Sequence, residues 1–253
     1  MSTQPSAITE TTQEALDTIE DTLGTANSLL AAAAESEADG TVTGLRRHAN
    51  SIKDVAGSAG IGILKVLAHR FEDYLSGISG FDAAARADCQ VFLDRIAEAM
   101  DGRLDDDPQK IAEFCRRLPA KQAFRVEDVE IQDVEVMLVM TDGAATSFVT
   151  RELAECGYRI VNVWSTIDAF ALAPQMRPDL IIVSNVMPEL SGVDFACAIR
   201  AMPATHRIPV AVLTSQSRGD AALEDLPPDI PLLSKSARFA DDVADVFGRY
   251  GLL

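Results

Sequence analysis

The sequence predicts two folded units in series: an N-terminal antiparallel helical bundle, then a five-stranded, parallel, doubly wound α/β sheet. Three observations carry this expectation. Apolar residues recur every three or four positions in the first half, short β-branched runs alternate with helical segments in the second, and a polar, acidic stretch separates the two patterns. With 253 residues, 47% of them hydrophobic, the chain can build two cores of ordinary size. The expected division is a bundle over 1–119, a linker over 120–133 and an α/β domain over 134–253.

In the first half, Leu16, Ile19, Leu23, Ala26, Leu30 and Ala33 make one long amphipathic stripe, and Thr11 with Glu14 has the spacing of a capping box. A second helix is expected from about Thr43 to Ala56, with Leu45, Ala49, Ile52 and Ala56 in a narrow arc that Gly57 and Gly60 then loosen or end. Leu64, Leu67, Phe71, Tyr74 and Ile78 predict a third. Ala85, Cys89, Phe92, Ile96 and Met100 predict a fourth. The fifth is short: Asp107 and Pro108 suit its N-cap and first position, Ile111, Phe114 and Leu118 its apolar side, and Pro119 its stop.

From Ala120 to Asp133 the text (AKQAFRVEDVEIQD) is polar and acidic, which places the linker there. VEVMLVM, YRIVNVW, DLIIVS, PVAVLT and PLLS then read as five strands, with SFVTRELAEC and GVDFACAIRAM among the intervening helices. Strand and helix in alternation imply a parallel sheet covered on both faces. Function in such sheets gathers at the carboxyl ends of the strands. Those ends carry Thr141 and Asp142, Ser184 and Asn185, Thr214 and Ser215, and Lys235.

A formal net charge of −17 argues against a nucleic-acid partner, since polyphosphate binding relies on lysine and arginine displacing counterions. Cys89, Cys115, Cys156 and Cys197 are far apart with no CxxC pair, as expected of reduced thiols rather than a zinc site or a disulfide framework. The opening MSTQPSAITETTQ has neither a basic start nor an apolar run, and no later stretch approaches the roughly 18 apolar residues of a membrane span. A cytoplasmic protein without membrane contact is expected.

The strand-end residues of the second half resemble those of a two-component receiver domain, over essentially all of 134–253. DLIIVSNVMPELSG is similar to the family's central segment, in which the phospho-accepting aspartate ends the third strand and a Met-Pro pair and a glycine follow. Counting back from Pro188, the resemblance puts the acceptor at Ser184; sliding the register by one gives Asn185. Of the family's two acidic residues after the first strand, Thr141 and Asp142 retain one carboxylate. Its Ser or Thr after the fourth strand and Lys after the fifth are matched by Thr214 and Lys235. Receiver activation makes an acyl phosphate on a carboxylate with a divalent cation bridging it. A serine hydroxyl offers no such carboxylate, so this resemblance implies a receiver-like domain that does not take phosphate in the family's way and holds no metal.

RRHANSIKDVAGSAGIGILKVLAHRFEDYL is similar to the histidine phosphotransfer domain, notably the type at the front of chemotaxis kinases with its His-Ser-Ile-Lys-Gly run. Matching Lys53, Ala56 and Gly60 places the phospho-accepting histidine at Asn50. The resemblance also implies a supporting histidine and glutamate on the third helix, which fall at His69 and Glu72. The family's glycine one turn after the acceptor is here Asp54. An asparagine amide has a delocalised nitrogen lone pair and no imidazole nitrogen to attack phosphorus. His48 is about 200° around the helix from Asn50, toward the edge defined by Leu45 and Ile52.

These resemblances imply a noncatalytic regulator of a two-component pathway with no cofactor: an adaptor or decoy that engages a histidine kinase, a phosphotransferase or a receiver. Its recognition face would run over Arg46, Asn50, Lys53 and Gly57, and the segment from Leu232 to Tyr250 could pair two copies into a homodimer. Two alternatives are kept open: a working phosphotransferase using His48, His69 or His206, and a ligand sensor holding a small anion or nucleotide against Lys235 and Thr214.

Overall fold

The computed structural model describes residues 10–33, 40–78, 80–101, 107–119, 133–236 and 238–252. Two compact units divide it, Met1–Pro119 and Ala120–Leu253. Apart from Asp133, the expected linker lies outside the described residues.

The first unit holds α1 (Glu10–Ala32), α2 (Thr41–Ser58), α3 (Gly62–Ser76), α4 (Ala83–Met100) and α5 (Pro108–Arg116). α1 packs on α2, α2 on α3, α3 on α4 and α4 back on α1, which closes a four-helix ring. Its interior is filled by Ile19, Leu45, Ile52, Leu64, Leu67, Phe71, Phe92 and Ile96, all but closed to solvent. α3 is the most enclosed helix of the ring, with Arg70 and Asp73 buried beside its apolar residues. The Arg70 guanidinium donates to the Cys115 carbonyl at 3.1 Å, which ties α5 to α3.

The ends of the helices depart from the sequence reading in ways that backbone hydrogen bonding explains. Thr11 lies inside α1, so no capping box forms there. Threonines are satisfied within this helix: Thr18, Thr22 and Thr25 each donate their hydroxyl to the carbonyl four residues back. Gly57 stays helical, and α2 ends instead through Gly60 at φ +72°, with Ile61 N–H donating to Ala56 O and Gly60 N–H to Gly57 O. That pair of bonds is a Schellman closure, which favours glycine at the left-handed position. Ile78 falls beyond α3. Asp82 caps α4 and Asp107 caps α5, the latter as the sequence predicts.

The second unit is a five-stranded, all-parallel sheet in the order β2-β1-β3-β4-β5. The strands are β1 (Glu135–Val139), β2 (Arg159–Val163), β3 (Leu180–Ser184), β4 (Val210–Thr214) and β5 (Leu232–Ser234), with helices α6 (Ala144–Glu155), α7 (Thr166–Met176), α8 (Gly192–Ala201) and α9 (Phe239–Tyr250). β1, β3 and β4 are buried at every residue, as both-face coverage requires. Val149 and Leu153 of α6 and Val243, Val246 and Phe247 of α9 share one core with Val136, Leu138, Ile182, Leu213 and Leu233. α7 packs on β1 and β2, and α8 on β3 and β4. This is the doubly wound, flavodoxin-like architecture that the strand-helix alternation predicts. Among the described residues, no helix is long and apolar enough to cross a membrane.

Candidate functional site

On the bundle, one line of α2 is open to solvent. Arg46, Asn50, Asp54 and Gly57 are exposed at helical spacing, while Leu45, Ala49, Ile52 and Ala56 face the core. Lys53 is half-buried beside this line, and its ammonium pairs with the Glu72 carboxylate of α3 at 2.5 Å. Side-chain exposures of 22% and 23% leave the pair partly hydrated, so its worth is about 1 kcal/mol or less. Its larger effect is to fix a cation and an anion of adjacent helices next to Asn50. Gly57 is not demanded by packing, since an added Cβ would meet the Lys65 stem at an ordinary 3.6 Å.

The three histidines are placed differently. His48 is half-buried one residue before the core-facing Ala49. His69 is buried within α3 at 5% exposure. His206 is exposed on the other unit, where its Nδ1 is 2.9 Å from the Pro203 carbonyl oxygen.

At the carboxyl edge of the sheet, the fold brings together four of the expected strand-end residues. Ser184 ends β3, and its hydroxyl receives the Lys235 ammonium at 3.0 Å while donating to the Val186 carbonyl at 3.3 Å. Thr214 ends β4, its carbonyl accepting the Lys235 N–H at 3.1 Å. The Thr214 hydroxyl accepts from Gln216 N–H at 3.1 Å and donates to Gln216 Oε1 at 3.2 Å. Asn185 Nδ2 donates to that same Oε1 at 2.9 Å, while Asn185 Oδ1 is buried without a partner. Thr141 and Asp142 are exposed after β1, the strand that pairs with β3, and the Thr141 carbonyl takes the Thr146 hydroxyl at 2.6 Å.

Gln216 is the member that sequence reasoning missed. A threonine at a strand end with a polar residue two positions on is the spacing of a hydroxyl-to-backbone turn, and that signal was available. Its link to Asn185, 31 residues away, was not.

A divalent cation does not fit this donor set. Asp142 is the one carboxylate among Thr141, Asp142, Ser184, Thr214 and Lys235, whereas a hard cation prefers several anionic oxygens, and the lysine ammonium already occupies the Ser184 hydroxyl. Desolvation lowers the Lys235 pKa, although the residue as a whole is exposed. The sign follows directly: the unfolded chain binds this proton more tightly, so stability lost to the charged ammonium returns as pH rises toward the ordinary lysine value. Lys235→Met is therefore expected to leave the melting temperature unchanged or raise it at pH 7. Differential scanning fluorimetry checks this, and a fall would mean that the bond to Ser184 outweighs the desolvation.

Gly192 fixes how closely α8 approaches the site. A Cβ there would lie 2.5 Å from the Ser184 carbonyl oxygen and 2.7 Å from Asn185 Cα, both backbone atoms that cannot rotate away. Gly192→Ala is expected to cost about 1–3 kcal/mol, the usual range for overpacking, with the loss read from chemical denaturation of the sheet unit.

Residues 10–107 match the family model of the Hpt domain. Among curated proteins, the chain is 29% identical over 118 residues to Histidine kinase P4 of Formosa agariphila, covering 46% of this chain and 9% of that protein. It is 30% identical over 93 residues to the transcriptional regulatory protein PrrA of Mycobacterium tuberculosis, covering 37% and 39%. The chain thus spans well under half the length of these relatives. A solved structure, the receiver domain of sensor histidine kinase PA1611 from Pseudomonas aeruginosa, is 25% identical over 47% of this chain and 98% of that one, at a TM-score of 0.42. The chain carries an Hpt domain followed by a receiver-like domain, modules of two-component signalling.

Proposed function

We propose that this pairing of an Hpt domain with a receiver-like domain works as a noncatalytic regulator, an adaptor or decoy that alters phosphate flow without carrying phosphate. In this reading Asn50 stands where the Hpt acceptor histidine belongs, and Ser184 where the receiver aspartate belongs. The Lys53–Glu72 pair beside an exposed Asn50 is the observation that carries it. Charged groups suited to flank a phosphoryl acceptor surround an amide that cannot be one. Asp54, exposed one turn later, adds negative charge where a phosphoryl group would arrive. The Ser184 hydroxyl gives the same answer in the second unit, since an alcohol forms no acyl phosphate.

What remains is recognition. The open line of Arg46, Asn50, Asp54 and Gly57 can occupy a receiver, and the receiver-like unit can engage a kinase or phosphotransferase. The reading keeps the protein in the cytoplasm.

Adding the full chain to a reconstituted kinase and receiver tests it. The rate of receiver labelling is expected to change with the concentration of the chain while the chain stays unlabelled. An unchanged rate at concentrations well above those of the kinase would contradict an adaptor or decoy role.

A further inference from the structure

Lys235 is the only lysine from residue 134 to the end of the chain. It stands where three strands end. Its backbone N–H donates to the carbonyl of Thr214 at the end of β4, and its ammonium reaches the hydroxyl of Ser184 at the end of β3, 51 residues away in sequence. That hydroxyl is neutral and directs its own proton at the Val186 carbonyl, 3.3 Å away. The carboxylate of Asp242 is engaged elsewhere, accepting the Ser234 N–H at 2.8 Å and pairing with Arg238 at 3.8 Å. Among the described residues, Lys235 forms no ion pair.

An ammonium so placed is poorly compensated. Held partly out of water against a hydroxyl, it gains a hydrogen bond but no opposite charge, so the neutral amine is favoured relative to an ordinary lysine. Burial accordingly pulls the pKa down, with no carboxylate to offset it. Lys53 is the contrast, since its ammonium pairs with the Glu72 carboxylate at 2.5 Å. Only the neutral form has a lone pair with which to attack an electrophilic carbon. Lys235 as a whole residue is exposed, which opens the nitrogen to a small reagent.

We infer that Lys235 is a site of Nε-acylation by a small activated acyl donor, an acyl phosphate or acyl thioester, because its amine is set among strand ends with a hydroxyl and no carboxylate to hold its charge. The nitrogen lone pair forms a C–N bond to the acyl carbon. The C–O bond to phosphate or the C–S bond to thiolate breaks, the leaving group departs with that electron pair, and the nitrogen releases a proton to water. The product is a neutral amide. It removes the ammonium from the junction of β3, β4 and β5, and the contact between Lys235 and Ser184 loses its charge. No step transfers a phosphoryl group, so the inference goes beyond the adaptor reading and does not depend on it.

The full chain is incubated at about pH 8 with acetyl phosphate or, separately, with acetyl-CoA, and acetylation of each lysine is followed in time by peptide mass spectrometry. Lys235 is expected to react at least tenfold faster than Lys53. Its rate should level off at a pH below the ordinary lysine value. Ser184→Asp places a carboxylate beside the amine and should slow Lys235 at least tenfold while leaving Lys53 and Lys110 unchanged. Ser184→Asn, neutral and of the same size as the aspartate, should not slow it, which separates the charge from any disturbance of packing. The inference is overturned by Lys235 reacting no faster than Lys53, by a pH dependence centred on the ordinary lysine value, or by equal slowing in the aspartate and asparagine variants. Reaction with one donor alone upholds it and identifies the source of the acyl group.

Discussion

On the adaptor reading, Asn50→His is expected to make the bundle a phosphoryl acceptor. The replacement puts an imidazole on an exposed turn of α2 beside the Lys53–Glu72 pair, without disturbing the core-facing positions Ala49 and Ile52. Acid-labile, base-stable label from a phosphorylated partner should then appear on the variant at least about tenfold above the wild type, a difference of roughly 1.4 kcal/mol or more in the barrier. Asp54 opposes the transfer even in that variant. Its carboxylate is one turn away, ~6 Å, where like charges in water repel by about 0.7 kcal/mol per unit charge. Adding Asp54→Gly should therefore raise the labelling by roughly threefold or more for each unit of charge on the arriving group. If Asn50→His remains unlabelled while still binding a receiver, the residues around position 50 do not form a phosphotransfer face.

Phe71→Ala carries the largest expected effect on stability. Phe71 is fully buried in the most enclosed helix, stacked on Phe92 with ring centroids 5.1 Å apart, and Tyr74 packs on the same ring at 5.2 Å. Truncation removes the transfer free energy of a benzyl group and leaves a cavity bounded by α3 and α4, a loss of about 3–5 kcal/mol. A domain has only ~5–15 kcal/mol in hand. The chain holds two units, so unfolding is not one transition and each must be followed by its own signal. Far-UV circular dichroism should show the helical unit unfolding at lower denaturant, while the transition reported by Trp164 in the sheet unit stays where it was. A loss below about 1 kcal/mol would mean that the four-helix interior does not depend on this stack.

The architecture was legible in the sequence because both of its periods are local. Leu16, Ile19, Leu23, Ala26 and Leu30 fall on one stripe of α1 without reference to any other element, and the runs EVMLV, LIIVS and VAVLT, apolar but for one terminal residue each, are buried throughout because both their faces are covered. Asp107 with Pro108 was readable as a helix start for the same reason. Thr11 misled because a threonine inside a helix is as well satisfied as one at a cap. At the sites, spacing within a motif put Asn50 with Lys53, and Ser184 with Pro188 and Gly192. The contacts that give these residues their surroundings are long-range: Lys53 to Glu72, Ser184 to Lys235, Asn185 to Gln216. A linear pattern holds no term for which strand ends become neighbours.

Mass spectrometry of the wild-type chain after exposure to a phosphorylated donor, under conditions that preserve phosphohistidine and phosphoaspartate, is the most direct measurement. The expected spectrum shows unmodified polypeptide, since position 50 offers no imidazole and position 184 no carboxylate for an acyl phosphate. Phosphate on His48, His69, His206 or Asp142 would contradict it and make the protein a carrier.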